Sequence, residues 1–339
     1  NPDSALPDSS RLDSNEKKLT MPRTISFTDY VCQHIQQYDL KDTNLHVVLP
    51  TLRLQRTIRQ KLIRQAQTED KLPLWLPKFE SMDQIVFQWA GLRKAQPIEL
   101  QVRLYQSYRH IYQQDREPAR NFDQFSDWGR MLVSDFNQID NQLAPAQEIL
   151  SYIAEDKRIG SWHLDLGSSK NGSLQSHYLA FYQKLGRIYQ DFTQRLIEEG
   201  CAYTGLAGRI ACQNLPQLLQ DGLTQNDFYL FAGLNALTAA EHRLIKSLIR
   251  AGKAEILWNA DRYYMDDPVQ EAGHFLREYR KDPDLNHHLQ DEDIADSLKD
   301  IRLRIIECPQ NTGQAKTVAQ ILQSLPRTEQ PRTLIVLND

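Results

Sequence analysis

No tract of this sequence approaches the roughly 20 consecutive apolar residues that a helix needs to cross a bilayer. Cysteine is scarce. Cys32, Cys201, Cys212 and Cys308 stand far apart, and no two of them form the C-x-x-C spacing of a zinc or redox motif. They read as reduced thiols of a cytoplasmic protein, not as a disulfide framework. A strong excess of either charge is missing too: the formal net charge is −4. The chain is therefore no polycation, and any nucleic-acid site has to be a local patch. No cationic segment followed by an apolar one opens the sequence, so nothing marks it for export.

Catalytic motifs are equally sparse. A phosphate-binding P-loop needs G-x-x-x-x-G-K-[ST], because its amides cradle the phosphates while its Lys and hydroxyl meet the terminal phosphates and Mg²⁺. Only one Gly-Lys pair exists, Gly252-Lys253; Ala254 follows it, and it trails a predicted helix instead of opening one. The GSSKNGS segment at 167–173 reads as a flexible loop and also lacks the motif's ending. There is no G-x-S-x-G nucleophile turn. His287-His288 and the isolated His163 near Asp165 read as solvated loop residues. A PD-(D/E)xK nuclease sets carboxylates on adjacent strands around a divalent metal. Pro7-Asp8 followed by Glu16-Lys17-Lys18 matches literally, but no apolar residues frame it as strand, and it reads as coincidence. Pro283-Asp284 with Asp291-Glu292-Asp293 lacks the Lys. No catalytic, metal-ligating or cofactor-binding residue is assigned, and no cofactor is expected for this chain.

What is present is a chain of 339 residues with 40% apolar residues, enough for a substantial core and for one large domain or two to three smaller ones. Residues 1–21 are rich in Ser, Asp, Asn and Pro and read as a disordered lead, with Met21 a candidate natural start. TISFTDYVCQHI predicts a short helix. LHVVLP at 45–50 is a continuous apolar run closed by Pro50, as in a buried parallel strand. A helix follows at once, with Leu54, Ile58 and Leu62 on one face. Strand followed directly by helix is the α/β unit.

From about 80 to 200 the periodicity is helical, with Ser81 a predicted N-cap and aromatics dense from Tyr105 to Phe192. Those rings read first as a bundle core and alternatively as a base-stacking platform. Strands are predicted again at 228–234 and 254–261, around a helix capped by Thr238 and Glu241. IRLRIIECP and RTLIVLND predict two more strands around a helix at QAKTVAQILQSL. An apolar strand at the very end predicts a chain that continues past Asp339.

The clearest positive signal is basic. Arg53, Arg56, Arg59, Lys61 and Arg64 lie on the helix after the first strand, and no acid occurs between Asp42 and Glu69. With Leu54, Ile58 and Leu62 turned inward, most of these cations face out. Ligands of open α/β sheets gather at the carboxyl ends of the strands. Arg53, just after Pro50, is placed there to meet a phosphate backbone. The alternative is an ordinary solvated helix face.

Several segments in order resemble one family. VVLPTLRLQRTIRQKL, LVSDFNQIDNQL at 132–143, YQDFTQRLIEEGCAYTGLAGR at 189–209, the long stretch 230–280 and QNTGQAKTVAQIL at 310–322 are similar to the N-terminal, helicase-like half of AddB-like PD-(D/E)xK nuclease proteins of the Bacteroidetes type. The resemblance implies a degenerate superfamily-one helicase core. Its fold would be an α/β, RecA-like parallel sheet with a large all-helical insertion. The implied domains are a first RecA-like domain at 22–80 and 225–298, the insertion at 81–224, and the start of a second RecA-like domain at 299–339. Ala232 and Gly233 stand where an active motor needs acids, and near Asn259 only Asp261 remains. The family's nuclease domain would lie further C-terminal, and Mg²⁺ or Mn²⁺ is expected only there. The implied role is an inactivated, DNA-binding or scaffold portion of a DNA end-processing nuclease in recombinational double-strand break repair. The expected partners are single-stranded DNA or duplex ends and a helicase–nuclease subunit, with no membrane. Arg53, Arg56, Arg59 and Arg64 are the candidate contacts; a scaffold that touches only a protein partner is the alternative.

Overall fold

The structure, a computed structural model, describes residues 25–70, 74–152, 172–291, 293–298 and 301–336. The expected disordered lead, the Pro7–Lys18 match, His163 and most of the 167–173 loop lie outside these residues. Gly172 and Ser173, expected in that loop, open a helix.

Helix α1 (Phe27–Ile35) starts where Ser26 accepts from the Asp29 amide, an N-cap that satisfies an otherwise unpaired donor. Strand β1 (Asn44–Val48) runs into Pro50, and α2 (Leu52–Thr68) begins under the Thr51 hydroxyl cap. After β2 (Lys78–Glu80) comes α3 (Met82–Ala90), held by the Ser81–Gln84 capping box. The chain continues through β3 (Arg93–Lys94), α4 (Pro97–Gln114), α5 (Phe122–Asn141), α6 (146–152 within the described residues), α7 (Gly172–Glu198), β4 (Cys201–Ala202) and α8 (Thr204–Gln217). It returns with β5 (Asp227–Ala232), α9 (Ala239–Arg250), β6 (Ala254–Leu257), α10 (Arg262–Asp266) and α11 (His274–Lys281). Thr238 and Glu241 form the capping box of α9 expected from their spacing.

The main sheet has the order β2-β1-β5-β6, parallel throughout. This is the α/β fold with a parallel sheet that the strand–helix alternation predicts. From β1 the chain steps outward to β2; from β5 it steps the other way to β6. The direction reverses between β1 and β5, the position at which open α/β sheets form their crevice. A second, two-stranded parallel pair, β3 with β4, joins the two ends of the helical segment. Nothing in its short, mixed sequence announces it.

Alternation along each strand divides the core in two. Leu45, Val47, Leu49, Leu230, Ala232 and Leu257 meet Tyr30, Val31 and Ile35 of α1 and Ile58 and Leu62 of α2. Val48, Phe231, Ile256 and Trp258 face the other way and share one continuous core with the helices of 81–224. The aromatics of the helical segment pack ring on ring: Tyr105 on Phe125 at 5.3 Å, Phe125 on Trp128 at 4.6 Å and Trp128 on Phe181 at 4.5 Å. They serve the bundle core. Helix α8 sits among α3, α5 and α9. Its Gly205, Ala207, Gly208 and Ala211 are small enough for close approach, and a Cβ at Gly208 would already press on Ala240 at 3.2 Å.

The described residues from Ser297 onward form a unit of their own. It contains the expected helix, α12 (Gln310–Ser324). The strands expected at 301–309 and 332–339 are not formed among the described residues. Leu303, Ile305 and Val336 stay about four-fifths exposed. Among the described residues their β-propensity has no neighbouring strand to satisfy it, and an unpaired strand is not stable by itself.

Candidate nucleic-acid interface

Helix α2 starts directly beyond the carboxyl end of β1, so its first turn lies at the rim of the sheet. Its inward face is Gln55, Ile58, Leu62 and Ala66, all buried. At about 100° per residue, Arg53 and Arg64 point nearly opposite that stripe and Arg56 lies to one side of them. All three are exposed, and none has an ion-pair partner among the described residues. Arg59 is exposed as well, but its guanidinium lies 5.2 Å over the Phe79 ring, a cation–π contact that ties it to β2. Lys61 turns to the other flank, where it pairs with Asp29 at 2.5 Å. That ammonium and the Ser26 hydroxyl hold the Asp29 carboxyl below its ordinary range. The five cations of the sequence thus divide. Arg53, Arg56 and Arg64 form a free stripe about 16 Å long along the helix, while Arg59 and Lys61 already have partners.

Two apolar side chains, Phe27 and Leu54, lie beside the carboxyl end of β5. Gly233 at the end of β5 has a left-handed backbone (φ +72°), and a Cβ there would meet the Phe27 ring at 3.0 Å and Leu54 at 3.5 Å. Ala232 before it is fully buried. Asp261, the acid nearest Asn259, is buried and accepts from the Tyr263 amide at 3.0 Å as the N-cap of α10.

Sequence reasoning missed two clusters. The first joins segments singled out above for their motifs. Asp140 of α5 is fully buried and accepts from the Tyr189 hydroxyl at 2.6 Å, from the Tyr203 hydroxyl, and from Arg209 Nε at 2.6 Å. Arg209 also donates to the carbonyls of Ala144 (2.6 Å) and Ile139 (3.3 Å). Burial, reinforced by the carboxylate, pushes the Tyr203 phenol well above its usual range. This node locks α5, α7 and α8 together. The presence of Asp, Tyr, Tyr and Arg in two quoted motifs was its only signal.

The second cluster overturns the solvated reading of His288. His287 is exposed, but His288 turns inward; its Nε2 lies 2.5 Å from Glu255 Oε1 and its Nδ1 2.9 Å from the Tyr30 hydroxyl.

No family model matches this chain, and no curated protein matches it.

Proposed function

We propose that this chain is a catalytically silent, helicase-like module that holds DNA for an end-processing nuclease of recombinational double-strand break repair. The observation that carries this reading is the stripe of Arg53, Arg56 and Arg64, exposed and without an ion-pair partner among the described residues, which starts at the carboxyl edge of a parallel sheet and runs along α2. Guanidinium groups in that position neutralise phosphates without reading bases. A RecA-like identity of the sheet belongs to the same proposal; it rests on the parallel order β2-β1-β5-β6 and on the family resemblance. The apolar side chains of Phe27 and Leu54 beside Gly233, at the carboxyl end of β5, support an inactive nucleotide site. Strand cleavage, with its Mg²⁺ or Mn²⁺, belongs in this reading to a C-terminal nuclease domain, and a helicase–nuclease subunit is the expected protein partner.

The test is binding of a fluorescent single-stranded oligonucleotide across a salt series. Each phosphate neutralised on a single strand adds about 0.7 to the slope of log affinity against log salt. Changing Arg53, Arg56 and Arg64 together to Glu is expected to reduce that slope by about 2. Arg59→Glu is expected to change it less, because Phe79 already engages that side chain. An unchanged slope removes α2 from the interface. No binding at low salt leaves the protein-scaffold reading in its place.

A further inference from the structure

At the edge of the sheet opposite the arginine stripe, three elements bring three metal-ligating side chains to one point. His34 comes from the last turn of α1, Glu255 from the second residue of β6, and His288 from the turns after α11. His34 Nε2 lies 2.7 Å from Glu255 Oε2, and His288 Nε2 lies 2.5 Å from Glu255 Oε1. One donor atom from each residue falls within 4.8 Å of the other two. We propose that His34, Glu255 and His288 form a binding site for a divalent first-row transition metal, with zinc as the reference ion.

The donor set favours this class. Two imidazole nitrogens and one carboxylate are the ligands of zinc and non-haem iron sites that keep positions open for water or substrate. Ca²⁺ prefers six to eight oxygens, and Mg²⁺ near-ideal octahedral oxygen ligation, which this set does not supply.

An outer layer is present as well. The Tyr38 hydroxyl donates to Glu255 Oε2 at 2.8 Å, and the Tyr30 hydroxyl meets His288 Nδ1 at 2.9 Å. Groups of this kind orient ligands and fix the imidazole tautomer. Nδ1 of His34 is buried without a hydrogen-bond partner, so that imidazole directs its polar contact wholly at the cluster. His288 adopts a left-handed backbone (φ 59°), a conformation that a non-glycine residue takes at steric cost and that carries its ring to Glu255.

The site is mostly enclosed but reachable. The side chains of His34 and His288 are 7% and 12% exposed, and that of Glu255 is 27% exposed. A cation here would tie α1, β6 and the segment after α11 together. None of its ligands belongs to the arginine stripe, so the two readings stand or fall separately.

The experiment uses the full 339-residue chain, stripped with a chelator, reloaded with zinc chloride and desalted. About one zinc per chain is expected by elemental analysis. His34→Ala and His288→Ala are each expected to weaken zinc binding at least about tenfold. Cobalt loaded into the unmutated chain is expected to give the intense visible bands of a four- or five-coordinate ion. Absence of retained zinc overturns the proposal, as does zinc retained undiminished in both variants. If a variant fails to fold, the cobalt spectrum decides: only the weak spectrum of the hexahydrated ion refutes the site.

Discussion

Replacing Asp140 by Ala tests the node that holds the helical segment together. The carboxylate is fully buried and accepts from three donors, the hydroxyls of Tyr189 and Tyr203 and Nε of Arg209. Its removal leaves a guanidinium with two carbonyl partners but no counter-charge, and two phenols without acceptors. Removing one partner of a buried ion pair costs about 3–5 kcal/mol. Each phenol that loses its acceptor costs about 1 kcal/mol more in isolation. These losses are not additive within one network. The Arg209 side chain is 22% exposed, so water recovers part of its solvation. The expected loss is therefore about 3–5 kcal/mol in total, towards the lower end. Urea unfolding followed by circular dichroism measures it as a lower midpoint at unchanged slope. Asp140→Asn keeps the shape but sets an amide N–H₂ against donors, and is expected to fall between wild type and Ala. A cycle with Tyr203→Phe is expected to show coupling of about 1 kcal/mol or more. A loss below about 1 kcal/mol for Asp140→Ala would show that the network is not a structural tie.

Two further expectations come from packing and from the buried phenols. Gly205→Ala places a methyl group well inside contact distance of the Asn137 carbonyl oxygen, so α5 and α8 must separate. Overpacking of that kind costs about 1–3 kcal/mol, and an unchanged melting temperature would refute the close approach. Burial raises the phenols of Tyr30, Tyr112, Tyr189 and Tyr203 above their ordinary value of 10.0. Below that pH they are protonated in both folded and unfolded chains. Above it the unfolded chain releases protons that the native chain keeps, so stability falls as pH rises. Unfolding midpoints between about pH 9 and 11 are expected to drop steadily, and Tyr203→Phe is expected to shallow that drop; a flat profile would contradict the burial of these groups.

The local parts of this fold are legible in the sequence. Pro50 ends an apolar strand, Thr51 caps the next helix, and the four-residue spacing of Leu54, Ile58 and Leu62 gives that helix one buried face. Ser81 with Gln84, and Thr238 with Glu241, mark two helix starts by cap geometry alone. The exposure of Arg53, Arg56 and Arg64 follows from the same periodicity. These signals reach no further than one or two turns, because they arise from contacts between residues three or four apart.

Tertiary structure decided the rest. The order β2-β1-β5-β6 and the β3–β4 pair depend on where the chain crosses after each helix. The apolar residues of 301–308 and 333–336 have strand composition but no strand, since a ladder requires a neighbour that composition cannot supply. Arg59 and Lys61 look equivalent to Arg53 in the sequence, yet Phe79 and Asp29 occupy them from other elements. Asp140 reaches Arg209 across 69 positions, and His34 reaches Glu255 across 221. A buried charge must find its partners wherever the packed chain brings them, and only the packing of the strands and helices sets those pairs.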